Sequence, residues 1–311
     1  MPEENLTLKD LLGSEQKAGD APRIESVAII GAGVMGQGIA QTVAAAAFDV
    51  LIVEKNPEVM ENAKKKLQES MEREISRWAM TKSEMKLILS RISWTTEFDD
   101  VQDCDIVIEA VEENLQLKQH VFRILDQIVT PNTIIISNTS TLSLTKIAEV
   151  TSRKEFIIGM HFMNPVPKVQ LVELIKGLDT SEETVRIVKE FAKRIGKKAV
   201  EVYEYPGFVT TRAIVPLLNE AMYILLEGVA TAKEIDLAMK LGFDFGMGPL
   251  EMADLMGLDE VLTWMETLWN SLGEPRFRPC PILRKLVRER KLGKKCGEGF
   301  YKYNADGQII E

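Results

Sequence analysis

The chain has 311 residues, with 38 lysines and arginines against 47 aspartates and glutamates, for a formal net charge of −9. An apolar fraction of 45% with 27% charged residues describes an ordinary globular protein with enough chain for two domains. The acidic balance argues against a nucleic-acid surface, and no apolar run approaches the roughly 18 residues of a membrane span. Three scattered cysteines (Cys104, Cys280, Cys296) argue against a disulfide framework and fit a reducing cytosol. Only two histidines are present, His120 and His161, so any imidazole chemistry is quickly located.

Residues 1–22 read as a flexible leader, since MPEENLTLKDLL is acidic and lacks the basic-then-apolar order of a signal segment. From Ser26 short apolar runs alternate with helical stretches. Strands are predicted at 27–30, 50–53, 105–108, 133–136 and 156–159. Helices are predicted at 34–48 and 115–129, with a long one opening at Asn56-Pro57, a good N-cap followed by proline at the first helical position. Near-continuous β-branched runs separated by helices indicate a parallel sheet covered on both faces, a doubly wound α/β domain over residues 23–204. Past Tyr205-Pro206-Gly207 the pattern becomes Leu-, Met- and Ala-rich at helical spacing. Helices are predicted at 213–227, 231–241, 250–269 and 281–290, and Pro216 is expected to kink or start the first of them. Residues 205–311 therefore read as an all-helical domain for substrate and dimerisation. Met247, Leu250, Met252, Leu255, Met256 and Trp264 give it more apolar surface than one helical layer buries, which predicts a homodimer.

The strand at 27–30 runs into Gly31-Ala32-Gly33-Val34-Met35-Gly36 and then a helix, and a second strand ends at Glu54, 18 residues after Gly36. A lone GxGxxG is weak, but strand, helix and downstream acid together mark a Rossmann-type dinucleotide site. Gly31 permits the turn, Gly33 the approach of the pyrophosphate, and Gly36 close helix–strand packing. Glu54 suits the ribose hydroxyls and repels a 2′-phosphate, which predicts NAD, although Lys55 beside it works the other way. A structural glycine turn is the weaker alternative.

Ser137-Asn138-Thr139-Ser140 follows the strand at 133–136, at the sheet end where ligands bind. Its hydroxyls serve a substrate or a helix cap equally well on this pattern. His161 follows a similar run, and Glu173 lies 12 residues on inside VQLVELI, where a carboxylate is costly without a partner. A His–Glu pair makes a general acid/base near neutral pH; a packed histidine with a solvent-facing Glu173 is the alternative. His120 reads as an ordinary surface residue of a helix.

These residues, with the strings GAGVMGQGIA, EAVEENLQLK, SNTSTLSL, GMHFMNPVPKVQLVELI, PGFVTTR and GKKCGEGFYKY, resemble the L-3-hydroxyacyl-CoA dehydrogenase family over residues 24–303, particularly its bacterial 3-hydroxybutyryl-CoA branch. The resemblance implies interconversion of (S)-3-hydroxyacyl-CoA and 3-oxoacyl-CoA with NAD, on short acyl chains. It implies that Ser137 meets the substrate hydroxyl and the cofactor side, that His161 is the acid/base, and that Glu173 orients it. It places Glu113, Lys118, Asn164 and Lys295 near the cofactor, and Ser70 and Arg77 on the CoA moiety. Lys66, Ser70, Arg73 and Arg77 share one helical face by spacing, opposite the apolar Met60, Ala63, Leu67, Met71, Ile75 and Trp78. A basic stripe suits CoA phosphates, or is merely solvated. One position departs: the family's asparagine after Pro-Gly-Phe is Thr211 here, which is shorter and lacks the amide's two-ended bonding. The rival readings are a same-fold dehydrogenase of a free hydroxy or sugar acid, and a weakly active NAD-binding protein.

Overall fold

The computed structural model describes residues 24–77 and 79–310. The expected leader at 1–22, and Trp78 on the predicted apolar helix face, lie outside the described residues.

The chain first builds β1 (Ser26–Ile30), α1 (Val34–Ala45), β2 (Asp49–Val53), α2 (Pro57–Ser76), α3 (Lys82–Ser90), β3 (Ile92–Thr95) and β4 (Ile106–Glu109). It continues through α4 (Leu115–Ile128), β5 (Ile134–Ser137), α5 (Leu144–Ala148), β6 (Ile157–Phe162), β7 (Leu171–Lys176), α6 (Glu182–Arg194) and β8 (Lys198–Tyr203). The strands form one sheet in the order β3-β2-β1-β4-β5-β6-β7-β8. Every pairing is parallel except β6 with β7. The central strands are buried on both faces because helices cover both. Ile29, Ile108 and Ile136 pack into one apolar cluster, while Ala28, Ile30, Val107 and Ile135 pack into the other. Each of these isoleucine and valine side chains taken from water contributes about 1.5–3 kcal/mol.

Helix α2 begins as its sequence predicts: Asn56 caps it by accepting from the Val59 amide at 2.9 Å, with Pro57 at the first position. It docks through Ala63, Leu67 and Met71. Strands β3 and β8 escape the sequence pattern. The edge strand β8, Lys-Ala-Val-Glu-Val-Tyr, buries only Val202 fully, so it carries little apolar signal.

Beyond the sheet come α7 (Thr210–Leu226), α8 (Ala232–Phe243), α9 (Pro249–Met256), α10 (Leu258–Leu272) and α11 (Pro281–Arg288). They enclose a separate core of Val215, Leu218, Leu250, Val261, Met265, Leu268 and Phe277. The architecture is thus a doubly wound α/β fold followed by a helical domain. Two sequence expectations need correcting. The helix predicted at 250–269 is two helices, because Gly257 adopts φ +101°, closed to a side chain without strain, and turns the chain between α9 and α10. Pro216 does not start α7; it lies inside a continuous helix that begins at Thr210. No helix among the described residues is long and apolar enough to cross a membrane.

Candidate active site

The glycine loop fits a dinucleotide. Gly31 adopts φ +96° at the end of β1. A Cβ on Gly33 would meet nothing within 4 Å, so the backbone there lies open to a ligand. A Cβ on Gly36 would stand 1.9 Å from the Gly31 carbonyl oxygen, so only glycine allows α1 to pack this tightly on β1. Gly33 caps α1 without any side-chain acceptor, leaving first-turn amides and the positive helix end for an anion. Glu54, at the end of β2, accepts from the Ala32 amide at 2.9 Å and so ties the ribose-side acid to the loop.

The acid–base pair is created by the one antiparallel step of the sheet. Strands β6 and β7 pair with His161 directly opposite Glu173, which puts both side chains on the same face. His161 Nδ1 lies 2.9 Å from Glu173 Oε2. The other carboxylate oxygen accepts from the backbone amides of Val209 at 3.1 Å and Thr210 at 2.8 Å, and the Thr210 hydroxyl donates to Oε2 at 2.9 Å. Burial opposes the charge on Glu173, but the bonds from His161 and Thr210 outweigh it and hold the carboxyl below its ordinary value. An ionised carboxylate only accepts, so Nδ1 carries hydrogen and Nε2 is left with the lone pair in the neutral ring. The turn into α7 supports this arrangement. Gly207 at φ +79° and Phe208 at φ +49° swing the chain so that the Phe208 ring sits 5.9 Å from the imidazole. Asn138 Oδ1 accepts from the Phe162 amide at 3.1 Å and ties the loop after β5 to the histidine's strand.

Ser137 stands at the end of β5 but does not present its hydroxyl. It is fully buried and donates to Glu109 Oε2 at 2.7 Å, across the β4–β5 register. Glu109 Oε1 accepts from Lys118 Nζ at 2.7 Å and from the Val111 amide at 2.8 Å, and Lys118 is equally buried. Lys118 is therefore sealed beneath the expected cofactor surface, and its ammonium is spent on Glu109, on Glu113 at 3.5 Å and on the Val111 carbonyl. Burial weakens the Lys118 charge, but the two carboxylates more than restore it. Glu113 gathers the loop after β5: its Oε1 accepts from the amides of Ser140 and Thr141 and from three hydroxyls, Thr139, Ser140 and Thr141. Burial is again overcome, by Lys118 and these donors, and Glu113 is held below its ordinary value. Of these hydroxyl residues Ser140 is the most open.

Comparison with known proteins decides the family. Residues 26–205 match the NAD binding domain of 3-hydroxyacyl-CoA dehydrogenase and residues 207–303 its C-terminal domain. The chain belongs to the 3-hydroxyacyl-CoA dehydrogenase family. Among relatives, a probable 3-hydroxybutyryl-CoA dehydrogenase of Bacillus subtilis is 49% identical over 280 residues, covering 90% of this chain and 98% of that one. The mitochondrial hydroxyacyl-coenzyme A dehydrogenase of Rattus norvegicus is 40% identical, covering 90% and 91%. Among solved structures, FadB2 of M. tuberculosis superposes with a TM-score of 0.88 at 36% identity, covering 90% and 99%. The (S)-3-hydroxybutyryl-CoA dehydrogenase PaaH1 of Ralstonia eutropha gives 0.82 at 43%, covering 91% and 100%. This family member is an NAD-dependent oxidoreductase, and the free hydroxy-acid reading is not favoured.

The remaining expected residues are placed as follows. Asn164 is exposed in the β6–β7 loop, which Lys197 braces from beneath by donating to the carbonyls of Val166 and Val169. Lys295 Nζ donates to Asp259 Oδ2 at 2.7 Å on a short segment before the chain's last bridges. That segment is clasped by two buried acids. Asp254 accepts from the amides of Phe300 and Tyr301 and from the Tyr303 hydroxyl, and Asp236 accepts from the Leu250 and Glu251 amides and the Tyr301 hydroxyl. Burial pushes Asp254 up to about 6 despite those amides. Ser70 is half-buried on α2 and Arg77 is exposed at its end, on the face also carrying Lys66 and Arg73. Thr211 is buried in the first turn of α7, beside Thr210. Sequence reasoning missed Thr210, Asn138 and Glu109. The threonine was legible as a first-turn hydroxyl, but nothing local pointed it at a strand 37 residues away.

Proposed function

We propose that the chain interconverts (S)-3-hydroxybutyryl-CoA and acetoacetyl-CoA, with His161 as acid/base and Glu173 as its orienting partner. The buried His161–Glu173 contact at 2.9 Å, fixed by the start of α7, carries this reading. Bound NAD supplies the two-electron acceptor for the substrate's C3 hydrogen, held by the Gly31–Gly36 loop with Glu54 on the ribose. His161 Nε2 takes the proton of the 3-hydroxyl, and Glu173 offsets the imidazolium charge in a site largely closed to water. In reduction Nε2 returns that proton to the ketone oxygen. The Ser137 hydroxyl donates to Glu109 and the Ser140 hydroxyl to Glu113, so these two serines set the loop after β5 that faces the substrate. Glu113 and Lys118 shape the cofactor floor, with Asn164 and Lys295 at its rim. The stripe of Ser70, Arg73 and Arg77 receives the CoA phosphates. Following NADH absorbance over an acyl-length series tests the substrate: turnover is expected to be greatest with acetoacetyl-CoA and absent with free acetoacetate. Equal rates with the free acid would overturn it.

The Thr211 position is expected to tune this reaction. Thr211→Asn restores a longer, two-ended side chain in the first turn of α7. One added hydrogen bond to a polar substrate is worth about 1.4 kcal/mol, hence roughly a tenfold change in kcat or in preference between acyl lengths. Unchanged kinetics in both respects would remove Thr211 from the site.

We further propose a homodimer, with a surface different from the one the sequence suggests. Leu250 belongs to the helical core, and Met252, Met256 and Trp264 pack against it. Leu255 stays exposed, and the proposed surface adds the exposed apolar residues of α8, where Leu237, Leu241 and Phe243 are 51%, 79% and 70% exposed. Light scattering is expected to give twice the mass of one chain, and Leu241→Asp the mass of one. The three free cysteines support a reducing, cytosolic setting.

A further inference from the structure

A dense basic segment lies far along the chain from the glycine loop. Residues 276–291 carry seven arginines and lysines and one acid, within a chain of net charge −9. There the structure forms a surface depression of about 420 Å³, lined by Tyr223, Arg278, Pro279, Pro281, Arg284 and Arg288. Arg284 is paired with Glu266 at 2.5 Å. Arg278 and Arg288 are exposed and have no carboxylate partner among the described residues.

The wall that presents Arg278 is rigid. Asn219, buried inside α7, uses both ends of its amide on this one segment. Its Nδ2 donates to the carbonyls of Arg276 at 3.2 Å and Arg278 at 2.9 Å, and its Oδ1 accepts from the Cys280 amide at 2.9 Å. A buried side chain committed in this way fixes the backbone on both sides of Arg278, so the guanidinium is displayed from a set base. Pro279 and Pro281 stiffen the same turn. Solubility alone needs no such frame, and two unpaired arginines beside a third repel one another unless an anion joins them.

We propose that this depression is a binding site for the diphosphate of a nucleotide, separate from the dinucleotide loop. Arginine forks match phosphate oxygens two at a time, and the two unpaired forks of Arg278 and Arg288, beside the Glu266-paired Arg284, suit two linked phosphates better than one carboxylate. The half-buried Tyr223 ring and the proline faces offer a flat apolar side for a base. The site requires neither the glycine loop nor His161, so it stands or falls independently of the dehydrogenase reading.

The test is calorimetric titration of the full chain with inorganic pyrophosphate and with ADP, under saturating NAD so that the dinucleotide loop is filled. One pyrophosphate per chain is expected, weakening as salt rises from about 50 to 300 mM. Arg278→Ala with Arg288→Ala should reduce affinity at least tenfold, and the paired lysine substitutions should fall between, since they keep charge but lose the fork. Arg73→Ala with Arg77→Ala on α2 weakens the stripe assigned to CoA and should leave the pyrophosphate affinity of the depression unchanged. ADP should bind more tightly than pyrophosphate, and Tyr223→Ala should erase that difference. Absence of saturable binding, binding that survives the double alanine change, or binding lost with Arg73 and Arg77 would each overturn the proposal. Equal affinity for ADP and pyrophosphate in the unaltered protein would overturn the assignment of a base to the hollow. Unchanged melting temperatures of the arginine variants, all substituted at exposed positions, separate lost binding from lost folding.

Discussion

His161→Ala is expected to lower kcat by about 10²- to 10⁴-fold while leaving the dissociation constant for NAD nearly unchanged. Among the described residues the imidazole is the only group in contact with Glu173 that can both take and return a proton near neutral pH; the other contacts are backbone amides and a threonine hydroxyl. The glycine loop and Glu54 belong to β1, α1 and β2, on the far side of β4 and β5 from the histidine strand, so cofactor affinity should survive. Stopped-flow NADH absorbance gives the rate, and fluorescence titration gives the affinity. Full turnover would end the assignment, whereas loss of NAD binding would show that the imidazole supports the fold instead. Glu173→Gln should be nearly as damaging for a different reason. Its carboxylate faces donors on both oxygens, and an amide nitrogen in either place meets an N–H or O–H head-on. Glu173 also adds an acid limit to stability. Its folded value lies below the ordinary 4.5, so the stability it lends is fully present above that value and is lost as pH falls through the lower folded one. An acid melt of the wild-type chain should therefore steepen below about pH 4.5 relative to Glu173→Gln, measured from the same neutral baseline.

How much of this site the sequence makes legible depends on how local each part is. The glycine loop is read in full, because turn, helix start and trailing acid lie within 24 residues and each glycine answers a nearby constraint. The His161–Glu173 pair is read as two suspicious residues. What joins them is the reversal of β7 against β6, and an apolar run carries no sign of its direction. Thr210 and the Val209 amide reach Glu173 only because α7 starts at the edge of the sheet, and that is tertiary geometry. Ser137 shows the opposite failure. Its position after a strand is read correctly, but whether a hydroxyl points to solvent or into the sheet is set by its neighbour across the register, Glu109. Gly257 was visible as a glycine inside a helical pattern, yet only its left-handed φ turns a tolerated residue into a break. The apolar residues offered for a dimer surface divide, because periodicity marks them without saying which of two sides they cover: Leu250 lies in the helical core with Met252, Met256 and Trp264 packed against it, whereas Leu255 stays exposed.

Lys118→Met should destabilise the fold by about 3–5 kcal/mol, the cost of breaking a buried ion pair from one side. The stranded group would be Glu109, which has no exposure and would keep only the Ser137 hydroxyl and the Val111 amide against a full charge. Glu113 would suffer less, since five donors from residues 139–141 remain on its Oε1. Urea unfolding followed by circular dichroism measures the loss. The companion change Glu109→Gln in the same chain should recover at least half of it, because a neutral amide still accepts from Val111 and can donate to Ser137. A single Lys118→Met variant within 1 kcal/mol of the wild type would show that the ammonium is not paired as described. Function should follow stability here. Glu109 ends β4, and the next residue, Ala110, gives its carbonyl to the space facing Gly31, 3.1 Å from where a Cβ would stand. A charge seeking water beneath that point would disturb the glycine loop from below. NAD affinity should therefore fall in Lys118→Met and return in the double variant, although no atom of Lys118 is exposed to touch the cofactor.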